Sequence, residues 1–518
     1  MSQFLSGSRI LPVCVVIVLA SFTIPAAAQL GAPAASTQTS VANQVPLSGR
    51  TAATGSVVAT QSPVPGATTS VNTINPTVQV QGAYAGSVRS TGKRPFSGKL
   101  SLREAVERGL EYNLGGVGLS LAVRQAHGQA AVVRSALMPN VNGSLAETVQ
   151  QTDLAASGLR IRSPLFAFPT IVGPFNFFDL RARLSQAVVD LTAWNNYKSV
   201  TETTRASQLA LRDARDLVVL GVGGAYLQTI AAAARLDSAK AQLETANALF
   251  QQTSQQRQAG VAAQVDVDRS EVQVLTQRQR LASLQNDLAK QKINLARMTG
   301  LPPNDQYELS DAIPFSAGSE ITVEKAVDQA VSGRADLKAA ETQVRAAEKT
   351  VAAARAERLP SLAVSGDYGV IGVNPAQSHG TFSITGTLRV PLWQGGRAAG
   401  DIEQAQAALS QRQAELEDQR DEIEGEVRKA YLDLQAAATQ VEVAQRNIQV
   451  AKETLDLTRQ RFQAGVSDNV QVVQAQESVS TAELDYINSV FAHNLAKLSL
   501  ARAMGSAVES LSQVLKTQ

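Results

Sequence analysis

The sequence predicts a mainly helical fold with a smaller β part, written twice in tandem, and three observations carry that prediction. Val427, Leu434, Val441, Ile448, Leu455 and Phe462 recur at every seventh position, with Ala430, Ala437, Ala444 and Ala451 three places further on. That is a coiled-coil seam in which alanine lets helices approach closely. Ile402, Leu409, Leu416 and Ile423 carry the alanine register back towards Pro391. Moving back by 205 residues lands on Ala225, Ala232, Ala239 and Ala246, while Tyr431 falls on Tyr226 and Thr458 on Thr253. The pattern is therefore an internal repeat in register. The third observation is that each half also holds a pair of segments alternating with period two, as strands do.

Composition narrows the class. The 518 residues carry 47 basic and 45 acidic side chains, a balance that excludes the concentrated basic patch of a nucleic-acid binder. His127, His379 and His493 stand alone, without metal-ligand spacing. Arg9, the apolar run from Ile10 to Ala20, and Ala26-Ala27-Ala28 form the three parts of a secretory signal over residues 1–28. The one cysteine, Cys14, lies in that run, so an exported chain has no disulfide. No later segment is expected to approach the roughly twenty apolar residues of a membrane-spanning helix. A chain of this kind would cross a bilayer as strands.

Residues 29–98 are rich in Ala, Thr, Ser, Val, Gln, Gly and Pro, and Glu104 is the first acid of the chain. This stretch reads as a disordered, low-complexity leader. The first repeat, 99–300, opens with helix over Leu102 to Leu137, stopped by Pro139; the second, 321–505, opens over Val323 to Leu359, stopped by Pro360. A strand pair follows each, at about 141–189 and about 361–391. Leu362, Val364, Tyr368 and Val370 alternate with polar or small residues, as do Phe382, Ile384 and Leu388. In the first half, Phe178, Leu180 and Leu184 alternate with Asp179, Arg181 and Arg183, after a longer connection containing Phe166, Phe168, Phe175 and Phe177. Long helices come next, at about 191–258 and about 396–463, each of about 65 residues and so reaching roughly 100 Å. Both end at matching glycine breaks, Gln258-Ala259-Gly260-Val261 and Gln463-Ala464-Gly465-Val466. Return helices run over about 264–298 and about 469–503. A Pro-containing linker, 301–320, separates the repeats, and 506–518 is a tail.

Four strands are too few to close a barrel, so the sheet asks for further copies; three would supply twelve strands, the closed form that a membrane requires. A soluble sheet capping a helical rod is the other reading of the same alternation. The helices carry Gln404, Gln411, Asp418, Arg428, Gln435 and Glu442 away from the seam. Such a wet face suits the wall of a tube, or equally the surface of a solid coiled-coil rod. No catalytic, cofactor or metal constellation emerges: Gly115-Gly116-Val117-Gly118 lacks the Lys-Ser/Thr of a phosphate loop, and Asp421, Glu422, Glu424 and Glu426 read as a solvated helix face. An enzyme is not expected.

With these features in place, the chain resembles the TolC-like outer membrane efflux proteins over about Leu100 to Gly505. The matching motifs are Arg334-Ala335-Asp336-Leu337, Leu359-Pro360-Ser361-Leu362, Pro391-Leu392-Trp393-Gln394-Gly395-Gly396 and Arg461-Phe462-Gln463-Ala464-Gly465-Val466. The first half departs from them, with Asn113-Leu114-Gly115-Gly116 and Asp190-Leu191-Thr192 in the corresponding places. The resemblance implies a homotrimer with a twelve-stranded barrel in outer membrane lipid and a helical tunnel in the periplasm. It implies docking to an inner-membrane transporter through a periplasmic adaptor, at Gly260, Val261, Gly465 and Val466. It also implies a constriction near the tip, for which Asp266, Gln471 and Gln474 are the candidates, the last two standing where acids would complete a ring. Small molecules or proteins would be the exported cargo. A trimeric stalk that spans distance without conducting is the competing reading.

Overall fold

The computed structural model describes residues 55–64, 73–89, 96–156, 158, 169–304, 306–311 and 321–509. The expected signal at 1–28, Phe166 and Phe168 lie outside these residues. The described chain is mainly helical with a four-stranded sheet. In order it forms β1 (Val57–Val64), β2 (Thr73–Val80), β3 (Lys99–Leu100), α1 (Leu102–Tyr112), α2 (Leu114–Ser135), β4 (Asn140–Asp153) and β5 (Ile171–Val189). There follow α3 (Leu191–Gln258), α4 (Gln264–Thr299), β6 (Glu308–Leu309), α5 (Val323–Gly333), α6 (Ala335–Ala356), β7 (Ser361–Gly372), β8 (Ser378–Arg389), α7 (Arg397–Gln463) and α8 (Asn469–Ala503).

The seam of the long helices is buried with the period of the sequence. Along α7, Val427, Ala430, Ala437, Val441, Ala444, Ala451 and Leu455 are all buried against neighbours, and along α3 so are Ala232, Ala239 and Ala246. The helix starts are set locally: Asp190 caps α3 by accepting from the Ala193 N–H at 2.8 Å, and Gly396, with φ +88°, leads into α7. One expectation fails here. An 18-residue window of α3 has a mean hydropathy of 1.7, apolar enough to pass for a membrane span, but 72% of it is buried within the fold. Val218, Val219, Val222 and Tyr226 spend that hydrophobicity on a core shared with Leu100, Val106, Leu295 and Met298.

The leader is not disordered where it is described. β1 and β2 form an antiparallel hairpin pairing Val57 with Val80, and Val57 and Tyr84 enter the same core. Glycines of α3 make the seat. A Cβ on Gly224 would lie 2.7 Å from Val78 Cγ2, and one on Gly221 3.4 Å from the Val57 methyls. Gln61 fastens the hairpin to α8 by donating to the Ala492 carbonyl at 3.0 Å.

Each repeat bends between its two opening helices at one extended residue. Arg334 joins α5 to α6 with φ −59° and ψ 130°, and Asn113 joins α1 to α2 with φ −62° and ψ 132°. Arg334 is buried and donates to Asp336 at 2.6 and 3.0 Å, to Glu426, and to the Ala503 carbonyl at 3.4 Å. Glu426 is therefore more than a solvated face; its carboxylate helps neutralise a buried guanidinium. Asn113, which has no charge, donates instead to the carbonyls of Tyr84 at 2.7 Å and Met298 at 3.5 Å.

The four-stranded sheet has the order β4-β5-β7-β8, so β4 and β8 are its edges. On one face of it, Arg181 of β5 bridges Asp179 at 3.2 Å and Asp367 of β7, which also accepts from Ser383 of β8. Phe382, Ile384 and Leu388 of β8 are exposed at alternate positions. Phe175 and Phe177, expected in a connection, lie within β5, since the β-favouring run of aromatic residues outweighs the turn signal of Pro174.

Candidate functional site at the hairpin tips

Both long helices end in the same capping motif. Gly260 (φ +75°) donates to the Arg257 carbonyl and Val261 to that of Gln256; Gly465 (φ +73°) donates to Phe462 and Val466 to Arg461. In this motif glycine takes the left-handed conformation and the two bonds satisfy the last helical carbonyls. The residue after each glycine is pushed outward. Val261 is 78% exposed and Val466 69%. A Cβ on either glycine would meet nothing within 4 Å, so conformation, and not space, selects glycine there.

The return helices begin differently. α4 follows Ala263, which offers no side-chain cap, and Asp266 sits in its first turn with Arg269 at 3.8 Å, where the helix dipole favours a carboxylate. α8 follows Asp468, whose Oδ1 accepts from the Gln471 N–H at 3.1 Å. Gln471 and Gln474, the other constriction candidates, are exposed on the first two turns of α8. The leading acids of the two tips, Asp266 and Asp468, thus stand three positions apart in the register of the repeat.

The structure brings the tips together through a residue that the sequence reading passed over. Asn469 is 2% exposed and donates its Nδ2 to the main-chain carbonyl of Asp266 at 3.1 Å. Asp468-Asn469 directly before a helical period is a capping signal in its own right. Behind the first tip, buried Thr253 and Ser270 share a hydroxyl bond of 2.7 Å. Behind the second, Thr458 and Ala475 hold these places, and Val472, Ala475 and Leu455 pack an apolar cluster.

Comparison with known proteins agrees with this architecture. The sequence profile of the outer membrane efflux protein family matches residues 119–301 and 326–506. The outer membrane protein OprJ of Pseudomonas aeruginosa is 24% identical over 82% of this chain and 88% of its own length. The outer membrane protein TolC of Vibrio cholerae is 24% identical over 76% of this chain and 88% of its own length. Among solved structures, the Campylobacter jejuni CmeC outer membrane channel superposes with a TM-score of 0.70 at 17% identity, covering 80% of this chain and 89% of its own. The Neisseria gonorrhoeae MtrE outer membrane channel does so with a TM-score of 0.67 at 16% identity, covering 84% and 98%.

Proposed function

We propose, from the premise that this chain belongs to the outer membrane efflux protein family, that it works as a homotrimeric outer membrane channel-tunnel. Its strands close a twelve-stranded barrel and its helices a tunnel. The hairpin tips are the docking surface for a periplasmic adaptor, which couples the tunnel to an inner-membrane transporter. The cargo is small molecules or proteins selected at that transporter, and no catalytic step is involved.

One observation carries the trimer. Within the chain, α3 packs against α8. The repeat relates α3 to α7 and α8 to α4, so the same contact is available between α7 of one copy and α4 of the next. Both surfaces are open: Leu432 and, at seven-residue spacing, Val443, Val450 and Leu457 on α7 are 43–63% exposed, and Val272, Leu275 and Ile293 on α4 are 43–62% exposed. Leu432 stands at the repeat position of Leu227, and Ile293 at that of Leu498, both buried in the intrachain packing. A second copy is the occupant that this pseudo-symmetry specifies. The unpaired edges β4 and β8 support the same closure, because a bilayer leaves no water to satisfy an open sheet edge. The test is native electrophoresis of detergent-extracted outer membranes, together with conductance in planar bilayers. A conducting trimer is expected; a monomer, or a trimer without conductance, would overturn the reading.

A further inference from the structure

The leader hairpin β1–β2 precedes the residues matched by the family profile, and it lies across the place where the two repeats of the chain meet. It touches both α3 and α8. Ala59 and Val78 pack on the apolar patch of Leu227, Ala231, Phe491 and Leu495 that joins those helices. Gln61 holds the Ala492 carbonyl of α8, while Val57 and Val78 rest on Gly221 and Gly224 of α3. Neither strand carries a charged side chain. Ser56 and Gln81, at the two ends of the hairpin, share a main-chain bond of 2.9 Å, so the chain enters and leaves the hairpin at one point. From there it returns to its own first repeat, where Tyr84 enters the α3 core and Ser87 donates to the Arg297 carbonyl of α4 at 2.5 Å.

The repeat specifies a second seam of the same kind, between α7 of one copy and α4 of the next, and the hairpin does not fit it. Glu426 and Lys429 stand at the repeat positions of Gly221 and Gly224, and Asn286 and Lys290 at those of Phe491 and Leu495. All four are exposed. A neutral strand face laid there would meet long side chains where it needs glycine, and would bury lysine without a partner. The helices themselves discriminate less, because Leu432 and Ala436 of α7 repeat Leu227 and Ala231 of α3. Two linked repeats that can pair either within a chain or between chains are a starting point for domain swapping, and a pairing that does not close on itself runs on into open assemblies. A segment that recognises only the α3–α8 seam breaks the tie.

We infer that β1–β2 is an assembly clasp: it binds the α3–α8 seam of its own chain, commits the two repeats to each other, and leaves α7 and α4 as the faces that take further copies. The inference rests on the trimeric reading above, and its test reads the partner across the seam directly. Gln242→Cys with Ser480→Cys places a thiol pair across the α3–α8 seam, where the parental side chains meet at 2.8 Å, and Cys14 is the sole native cysteine. The pair is introduced into the full chain and into a chain with residues 57–80 excised, so that Ser56 joins Gln81. It is also introduced into Gly224→Val, which keeps the hairpin but sets a branched side chain against Val78. Outer membrane extracts are bridged with a short methanethiosulfonate cross-linker and run on denaturing gels without reductant, alongside native gels. The full chain is expected to give bridged single chains. Excision and Gly224→Val are both expected to give covalently linked chains, with loss of the trimer band to larger species on the native gels. Gly224→Val decides by the same reading where the excised chain does not accumulate. Absence of linked chains from both variants, whatever their level, would overturn the clasp. A full chain that is not a trimer on native gels would overturn the trimeric reading instead, so the two failures are distinguishable.

Discussion

Asn469, buried at the start of α8, donates to the main-chain carbonyl of Asp266 in the first turn of α4, and so ties one hairpin tip to the other across 3.1 Å. Removing that amide deletes a hydrogen bond worth about 1 kcal/mol between the two tips. Asn469→Ala should speed amide exchange over residues 262–275 without lowering the amount of assembled protein. Asn469→Leu, which keeps the volume but not the donor, should do the same. Exchange rates matching the parent in both variants would show that the tips are held by other contacts.

The alanine seam gives a second expectation. Ala437 is fully buried and Ala444 is 7% exposed, whereas Gln411 is exposed and donates to Glu415 of its own helix at 2.9 Å. Adding three carbons at Ala437 or Ala444 overpacks a close helix contact, at roughly 1–3 kcal/mol per copy. Thermal dissociation of purified protein should occur at a lower temperature for Ala437→Leu and Ala444→Leu than for Gln411→Leu. Equal midpoints would mean that the seam accommodates bulk.

These residues mark the boundary of what the sequence discloses. The heptad of α7 is legible because helix geometry fixes its spacing, and Gly260 and Gly465 because a left-handed cap narrows the choice of residue. The hairpin β1–β2 is not legible, since its Thr-, Val- and Gln-rich strands are stabilised by Gly221 and Gly224, which look like interruptions of a distant helix. Asn113 reads as a departure from Arg334-Ala335-Asp336-Leu337, yet it makes the same bend with neutral bonds. The Asn469–Asp266 bond depends on two tips lying side by side, which no periodicity within one segment encodes.

A third expectation concerns pH. Burial pushes the Asp213 carboxyl up to about 6, although Arg502 lies 2.9 Å away. Its other charged neighbours are Asp336 and Asp216, which push the same way, and Arg334, which opposes them. The folded chain therefore holds this proton more tightly than the unfolded chain, in which aspartate titrates near ~3.9. Stability from this group is fully present below the unfolded value and is lost as pH rises through about 6. The span is on the order of 3 kcal/mol per copy at most. Asp336 moves in the opposite direction: burial raises it, but the bonds from Arg334 outweigh burial and hold it below the usual range, so its contribution is lost only at lower pH. Asp213→Asn should flatten the dissociation midpoint between about pH 4 and 6 while leaving the acid limb in place. A slope that survives the substitution would assign it to another group.

The last expectation separates docking from capping at the tips. Val261 and Val466 project from turns that are already complete in hydrogen bonds, so their side chains contribute little to the fold of one chain. Val466→Asp should leave assembled protein in the outer membrane at the parental level and abolish export, because a partner packing on the tip would have to desolvate the new carboxylate. Gly465→Ala acts on the turn instead. It forces a side chain into φ +73° at roughly 1 kcal/mol and should loosen the tip without removing export. Gly465→Pro with Val466→Asp combines both effects, since proline cannot adopt that φ and removes the bond to Phe462, and it should retain assembled protein while losing export. Export and membrane level are measured in one strain that contains the cognate transporter. If Val466→Asp lowers the amount of assembled protein and the remainder exports normally, the valine belongs to the cap and the docking surface lies elsewhere.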